Sequence, residues 1–331
     1  MQLTLLKRLI AGAGFVVSAP AFCCDVFVSP GSSIQAAINS SAPYDVVCLQ
    51  PGVHNVSQTI NLIAQTTIKG NSSNKANVSV NASSSLVGPV FRATSRSGSM
   101  RSHTFEGFTI RNNGSSQSNS RASAIDLKDT EYSTITDMNL FNTWRMSVIV
   151  QDSYNVFVSN SSFKDMGFAP QAQGAFWINQ SDRVFVFDND ITGRNNGPGG
   201  DGGIDCYNST NVSIFSNTSV NSGESAIYTA PNPMGCTGIA VWDNQVTGSN
   251  EWGIDLVDAN GAFVHANTVI SSNFGAMVLW DSTNADVQWN TFTNNNGSGV
   301  GTCQGLNKKG NTSGLIFANN VGNPTLQCIR P

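Results

Sequence analysis

Apolar positions recur along this chain at intervals of 23 to 29 residues. Each apolar anchor precedes a small turn, and the intervals between successive anchors are 23, 28, 28, 27, 23, 23 and 29 residues. The anchors are Ile135, Val158, Val186, Ile214, Val241, Val264, Val287 and Ile316. A unit of about 23 residues with insertions is typical of a solenoid, in which each repeat buries its apolar face against its neighbours.

Asparagine recurs three residues after the anchors, in six successive units. The column comprises Asn189, Asn217, Asn244, Asn267, Asn290 and Asn319. Stacked asparagines at a tight turn can bond to one another and to the backbone. The column two residues further is apolar apart from Ser219, which predicts core positions at Leu140, Phe163, Ile191, Val246, Val269, Phe292 and Val321.

A second strand is predicted in each unit from apolar residues that alternate with others. The inward positions are apolar, and the outward positions between them are Asp126, Ile149, Trp177, Asp205, Tyr228, Asp255 and Val278. Short strands separated by Gly and Asn turns, with no helical pattern between them, exclude a βαβ protein. We predict an all-β coil of parallel strands, although residues 71 to 104 fit the repeat poorly.

Both ends of the coil are predicted to be capped, because an open end exposes a sheet edge. Residues 32–40 read as an amphipathic helix with a capping box from Ser32 to Gln35. Residues 303–331 form the predicted C-terminal cap, in which Cys303 is expected to pair with Cys328.

The N-terminus has the pattern of a secretory signal peptide over residues 1–21, followed by one domain over residues 22–331. Secretion permits disulfides, and Cys48 is expected to pair with Cys23 or Cys24. No later segment is apolar enough to cross a membrane. We therefore expect a secreted protein that is extracellular, periplasmic or attached to the cell surface.

Charge excludes one class of partner. Only 11% of the residues are charged and the net charge is −4. Nucleic acid is not expected as a partner, because nothing here could neutralise a row of phosphates.

The opening of the chain resembles that of pectin-lyase-like proteins. The matching segments are 34–38, 46–49, 51–53 and 67–70, and the unit from Gly253 to Val269 resembles their generic repeat. The resemblance covers essentially the whole mature chain and implies a single-stranded right-handed parallel β-helix. Such proteins include polysaccharide lyases, polygalacturonases, uronate epimerases, tailspikes and adhesins, so the resemblance leaves the activity open.

Five acidic residues are predicted to cluster on the outer face of the second strand. Asp201, Glu224 and Glu251 occupy one position on three consecutive turns, and Asp205 and Asp255 lie beside them. The chain has only 21 acidic residues, so this clustering is a candidate catalytic site. Like charges this close raise one another's pKa, which suits a carboxyl that must stay protonated or a site that holds a cation.

Aromatic and polar residues on the same face predict a groove that binds sugars. The insertions 164–174, 192–203 and 230–238 would form its walls. The candidate substrate-binding residues are Trp177, Tyr207, Tyr228, Trp280, Asn179, Arg194, Arg145 and Lys128.

A polysaccharide hydrolase is the favoured hypothesis. Two carboxyls about 6.5–9.5 Å apart suit an inverting glycosidase, with Asp201 and Glu251 or Asp205 and Asp255 as candidate pairs. The segment 201–205 and the segment 223–227 resemble polygalacturonase motifs faintly. The second polygalacturonase motif contains two adjacent aspartates, where this chain has Glu224 and Ser225. The His-containing and Arg-Ile-Lys motifs of polygalacturonases are absent, which puts polygalacturonase activity in doubt.

Two alternatives remain open. A hydrolase would need no cofactor, whereas a lyase acting on a uronic acid polymer could hold Ca²⁺ on Asp201, Glu224 and Glu251 and use Arg194, Arg145 or Lys128 as base. A structural or adhesive module is the third hypothesis. It rests on an outward column of rings elsewhere, through which a trimer could assemble, although a monomer is favoured; the column comprises Phe187, Phe215, Trp242, His265 and Phe317.

Overall fold

The computed structural model confirms the predicted parallel β-helix and shows that it has three sheets. It describes residues 24–62, 65–94, 102–112, 123–144, 146–166, 174–193, 203–231, 233–299, 304–322 and 327–329. Within these residues the sheets have 12, 11 and 11 strands, and every strand pair is parallel and joins successive turns. We name the sheets A, B and C.

Each turn of the coil contributes one strand to each sheet, except the first, which contributes a strand to sheet A only. Sheet A comprises Val26–Val28, Val46–Leu49, Thr66–Gly70, His103–Glu106, Thr134–Thr136, Tyr154–Ser159, Asp182–Phe187, Ser213–Phe215, Ala240–Trp242, Phe263–His265, Asp286–Gln288 and Ile316–Ala318. Sheet B comprises Gly52–Val56, Val78–Ala82, Thr109–Arg111, Asn139–Phe141, Ser162–Lys164, Asp190–Thr192, Thr218–Val220, Gln245–Thr247, Thr268–Ile270, Thr291–Thr293 and Val321–Gly322. Sheet C comprises Ile60–Leu62, Phe91–Thr94, Ile125–Lys128, Val148–Gln151, Phe176–Asn179, Ile204–Tyr207, Ile227–Thr229, Trp252–Val257, Gly275–Trp280, Leu306–Lys309 and Gln327–Ile329. Residues 71 to 104, which fit the repeat poorly, contain a short 3-10 helix at Lys75–Asn77 and strands of all three sheets.

The asparagine column forms a continuous ladder between sheets A and B. The Oδ1 atom of Asn244 accepts hydrogen bonds from the backbone N–H and from Nδ2 of Asn217, both at 3.0 Å. Nδ2 of Asn244 donates in turn to Oδ1 of Asn267 and to the carbonyl of Ile214. Each asparagine side chain therefore satisfies hydrogen-bonding groups of the preceding turn, which explains why asparagine recurs in a buried position.

The last turn corrects the predicted register by one residue. Val287 pairs with Phe317 rather than Ile316, and the ladder bond of Asn290 goes to Asn320 rather than Asn319. Ile316 is consequently 54% exposed, and Val321 is exposed as well. A slip of one residue moves every side chain of a strand to the opposite face.

The N-terminal cap is a helix at Ile34–Ser40 that presents Ile34 and Ile38 to the core. Its N-cap residue is Ser33, whose hydroxyl accepts from the N–H of Ala36, so the expected capping box at Ser32 is wrong. Gln35 bonds to Asn39 and Asn61 instead.

A disulfide fastens the first turn to the second. Cys24 pairs with Cys48, which decides between the two expected partners. The expected pairing of Cys303 with Cys328 and the predicted signal peptide fall outside the described residues. None of the helices in the described ranges is long and apolar enough to cross a membrane.

Candidate functional site

The outer face of sheet C carries the acidic residues in the predicted register. Trp177 pairs with Asp205, Asp205 with Tyr228, and Tyr228 with Asp255 on successive turns. These four side chains form one outward column, which we call the floor. Adjacent turns are about 4.8 Å apart, so Asp205 and Asp255 are separated by about 10 Å along the coil, with Tyr228 between them.

Asp205 is a buried carboxyl between two aromatic rings. It is only 3% exposed because Trp177 and Tyr228 occupy the floor on either side of it. Burial raises the pKa of Asp205 well above its ordinary value of 3.8, and the negative charge of Glu224 raises it further. The Asp205 carboxyl therefore keeps its proton in conditions where an exposed aspartate has lost its own.

Asp255 lies between Tyr228 and Val278 on the floor. Burial raises the pKa of Asp255 to about 7, with a further rise from the charge of Glu251 and an opposing effect from Lys309 and the Ser225 hydroxyl. Its Oδ1 atom is buried without a hydrogen-bond partner in the described part of the chain. A buried carboxyl oxygen without a hydrogen-bond partner disfavours the ionised form, in agreement with the raised pKa.

Glu224 and Glu251 form an acidic rim beside the floor. The backbone N–H of Glu251 donates to the carbonyl of Glu224 at 3.4 Å, and that of Phe274 to Glu251 at 3.0 Å, so the three residues are stacked as expected. Burial and the charge of Glu224 raise the pKa of Glu251. Asp201, the predicted third member of the rim, lies outside the described residues.

Tyr228 separates the two carboxyls of the floor and stays a neutral phenol. Burial, followed by the charges of the surrounding acids, raises the pKa of Tyr228 to about 12. The phenol O–H is therefore a hydrogen-bond donor at the centre of the floor throughout the neutral range.

Aromatic rings continue the floor into a second outward column. The ring centroids of Trp177 and Tyr207 are 6.1 Å apart, and those of Tyr207 and Tyr228 are 6.0 Å apart. Trp280 is 46% exposed, and the Nε1 atom of Trp177 is buried with no hydrogen-bond partner among the described residues. These rings offer apolar surface beside the carboxyls, as a sugar-binding groove requires.

The polar residues predicted to bind substrate are less favourably placed for contact with a sugar than the aromatic residues. Asn179 is buried, and its amide bonds to Gln180 and Asn208. Lys128 is exposed on sheet C, but it lies three turns before Tyr207, about 14 Å along the coil. A role of Lys128 as base beside the acids therefore stays a prediction, which this spacing disfavours. Arg145 and Arg194 fall outside the described residues.

A disulfide holds the segment that is predicted to form one wall of the groove. Cys206, at a core position next to Asp205, is bonded to Cys236 in the predicted wall segment. Cys206 occupies an inward position of sheet C, and the repeat pattern does not predict its bond to Cys236. The remaining predicted walls, 164–174 and 192–203, lie largely outside the described residues.

Lys309 was missed by sequence reasoning. It pairs with Trp280 on the next turn of sheet C. The strand Leu306–Lys309 begins ten residues before Ile316, the same interval that separates Met277 from Val287, and this interval was the signal that could have revealed it.

The described residues contain no group of three or more His, Cys, Asp or Glu that could hold a metal ion. Glu224 and Glu251 are in place as two of the three predicted calcium ligands, and the third, Asp201, is not among the residues described. A calcium site at this rim therefore stays a prediction.

The outer face of sheet A carries stacked rings. Phe187 stacks on Phe215 at 4.9 Å and Phe215 on Trp242 at 4.3 Å, with rings within 5° of parallel. His265 follows them in register but is only 4% exposed, and Phe317 packs against the core instead of continuing the column. The rings cover one another's faces, which explains much of the column by packing within the chain.

Comparison with known proteins identifies the fold family. The model of the right-handed beta helix region matches residues 94–269, more than half of the chain. The chain belongs to the right-handed β-helix family. No match is found among curated protein sequences.

Solved structures of this architecture share little sequence with the chain. The tailspike protein of Dettilon is 14% identical with a TM-score of 0.69, over 89% of this chain and 61% of that protein. A polygalacturonase from Erwinia carotovora ssp. carotovora is 12% identical with a TM-score of 0.61, over 93% of this chain and 96% of the other. The periplasmic alginate epimerase AlgG is 12% identical with a TM-score of 0.56, over 91% and 84%. The chain thus spans about three fifths of the tailspike, and at these identities the similarity extends to the fold alone.

Proposed function

We propose that this right-handed β-helix is an extracellular glycoside hydrolase that binds a polysaccharide along the outer face of sheet C. The observation that carries the proposal is the pair of carboxyls on the floor, the buried Asp205 and the partly buried Asp255, whose pKa values are both raised. Buried carboxyls of raised pKa beside exposed aromatic surface are typical of catalytic acids and bases.

Asp205 is the general acid. Its carboxyl, whose pKa is raised by burial and by the charge of Glu224, transfers its proton to the glycosidic oxygen as the bond to the anomeric carbon breaks. The indole of Trp177 and the phenol of Tyr228 exclude water from the Asp205 carboxyl, which maintains the raised pKa.

Asp255 is the general base. Once ionised, above a pH of about 7, it takes a proton from the water that attacks the anomeric carbon from the opposite side. The separation of about 10 Å along the coil is close to the 6.5–9.5 Å of inverting enzymes and too long for the 5–5.5 Å of retaining enzymes. The proposed reaction therefore inverts the anomeric configuration.

Two further findings support the proposal. The polygalacturonase and the alginate epimerase are named for polysaccharides and share the fold. The disulfides Cys24–Cys48 and Cys206–Cys236 suit an oxidising compartment outside the cytoplasm, where a polymer substrate would be met.

A panel of neutral and acidic polysaccharides tests the proposal. Each polymer is incubated with the protein, with and without EDTA, and assayed for new reducing ends and for unsaturated uronide. We expect reducing ends without unsaturated product, unaffected by EDTA, and an initial product of inverted configuration by proton NMR. Unsaturated product that disappears with EDTA would establish the calcium-dependent lyase instead. Binding without any cleavage would favour the structural or adhesive module.

A further inference from the structure

Lys309 lies at the C-terminal end of the groove, held between two indoles. Its Nζ atom is 5.0 Å from the ring centroid of Trp252 and 5.2 Å from that of Trp280. Trp252 is buried, so it forms a fixed wall, whereas Trp280 is exposed to the groove. Two cation–π contacts fix the position of an ammonium group without neutralising its charge.

The ammonium of Lys309 has no carboxylate within ion-pair distance among the residues that the structure describes, in contrast to Lys69 and Lys75, which pair with Glu106 and Asp137. The positive charge of Lys309 nevertheless acts on the floor, because it lowers the pKa of Asp255. A positive charge that is positioned but unneutralised, at the edge of a groove, is suited to an anion on a ligand.

The position of Lys309 relative to the acids indicates which part of a polysaccharide it would meet. Lys309 is on the second turn after Asp255, about 10 Å further along the coil. A sugar cleaved at the floor would not reach Lys309, but a neighbouring sugar of the same bound chain could lie on Trp280. Asn307, on the same strand as Lys309, is buried and continues the outward column of the floor beyond Asp255 and Val278.

We propose that Lys309, Trp252 and Trp280 form a subsite for a sugar carboxylate, so that the substrate is a uronic acid polymer. The proposal deepens the proposed function and rests on it. The acidic rim repels carboxylates at the point of cleavage, and the ammonium attracts one at the neighbouring position. The substrate would thereby be held in a fixed register along the groove.

Binding measurements test this subsite separately from turnover. Isothermal titration is made in the Asp205→Asn background, so that the polymer is not consumed, with polygalacturonate and its methyl-esterified form as probes. Lys309→Met keeps the aliphatic stem and removes the charge. We expect polygalacturonate binding to weaken roughly 10- to 100-fold, binding of the ester to change little, and Lys309→Arg to restore most of the affinity. Lys164→Met, an exposed lysine on sheet B, is the matched control.

The possible results separate the two proposals. Unchanged polygalacturonate binding in Lys309→Met, or an equal loss for the ester, would overturn the carboxylate subsite. An equal loss with dextran sulfate would overturn the assignment to carboxylate in favour of a general anion site. Binding that depends on Lys309, in a wild-type protein that cleaves nothing, would leave the subsite standing and refute the hydrolase.

Discussion

Replacing Asp255 with asparagine should stabilise the protein at alkaline pH. The carboxyl pKa is about 7 in the folded chain, against an ordinary value of 3.8, because burial and Glu251 disfavour the charged form. The folded state therefore holds the proton more tightly than the unfolded state. The resulting stabilisation is complete below pH 4 and is lost as the pH rises through 7.

The magnitude follows from the pKa. Each tenfold change in proton affinity corresponds to about 1.4 kcal/mol, so the raised pKa costs the wild type up to about 4 kcal/mol of stability above pH 7. Asparagine has nearly the same shape and carries no charge at any pH. The free energy of unfolding of Asp255→Asn, minus that of the wild type, should therefore rise by up to about 4 kcal/mol between pH 4 and pH 8.

Denaturant unfolding at several pH values between 4 and 8 measures this difference. Other titrating groups are common to both proteins and largely cancel. Asp188→Asn is the control, because Asp188 is exposed at a turn with φ of 54°, a conformation that asparagine also adopts readily. A difference for Asp255→Asn that stays constant within about 1 kcal/mol over this pH range would refute the account of Asp255 as a carboxyl of raised pKa.

Three further predictions concern the scaffold, each measured by denaturant unfolding. Asn244→Ala removes the acceptor of both bonds from Asn217 and should cost about 2–4 kcal/mol; a loss below 0.5 kcal/mol would contradict the role of the ladder. Replacing Cys206 and Cys236 together by alanine frees a link across 30 residues and should cost about 3–4 kcal/mol, and equal stability of the two proteins would count against the bond. Gly253→Ala should cost about 1–3 kcal/mol, because its Cβ would overlap Val269 and the carbonyl of Ala276, whereas Gly297→Ala should be tolerated; similar effects of the two would argue against close packing at Gly253.

The sequence was sufficient to predict the fold and the inward and outward positions of sheet C. A solenoid repeats its side-chain environment on every turn, so that the pairing of Trp177, Asp205, Tyr228 and Asp255 follows from the repeat alone. The same logic failed in the last turn. An extra residue lies between the strands Leu306–Lys309 and Ile316–Ala318, and an alignment by fixed spacing assigns Ile316 instead of Phe317 to the core.

The electrostatic differences between the acids could not be predicted from spacing. The five acids form one patch in the sequence pattern, yet in the structure Asp205 is buried on the floor, Asp255 is partly buried there with its Oδ1 atom enclosed, and Glu224 is exposed on the rim. Their burial depends on which side chains lie one turn above and below. The disulfide of Cys206 with Cys236 likewise depends on how an insertion folds back, which a repeat pattern does not specify.

Turnover of Asp205→Asn tests the central claim most directly. The wild type, Asp205→Asn and the control Asp188→Asn are compared by release of reducing ends from the polymer that the panel identifies. Loss of a general acid lowers the rate by roughly 100- to 10,000-fold, and we predict a loss of this size in Asp205→Asn only, with folding retained. Unchanged turnover in Asp205→Asn would contradict the assignment of sheet C as the catalytic face.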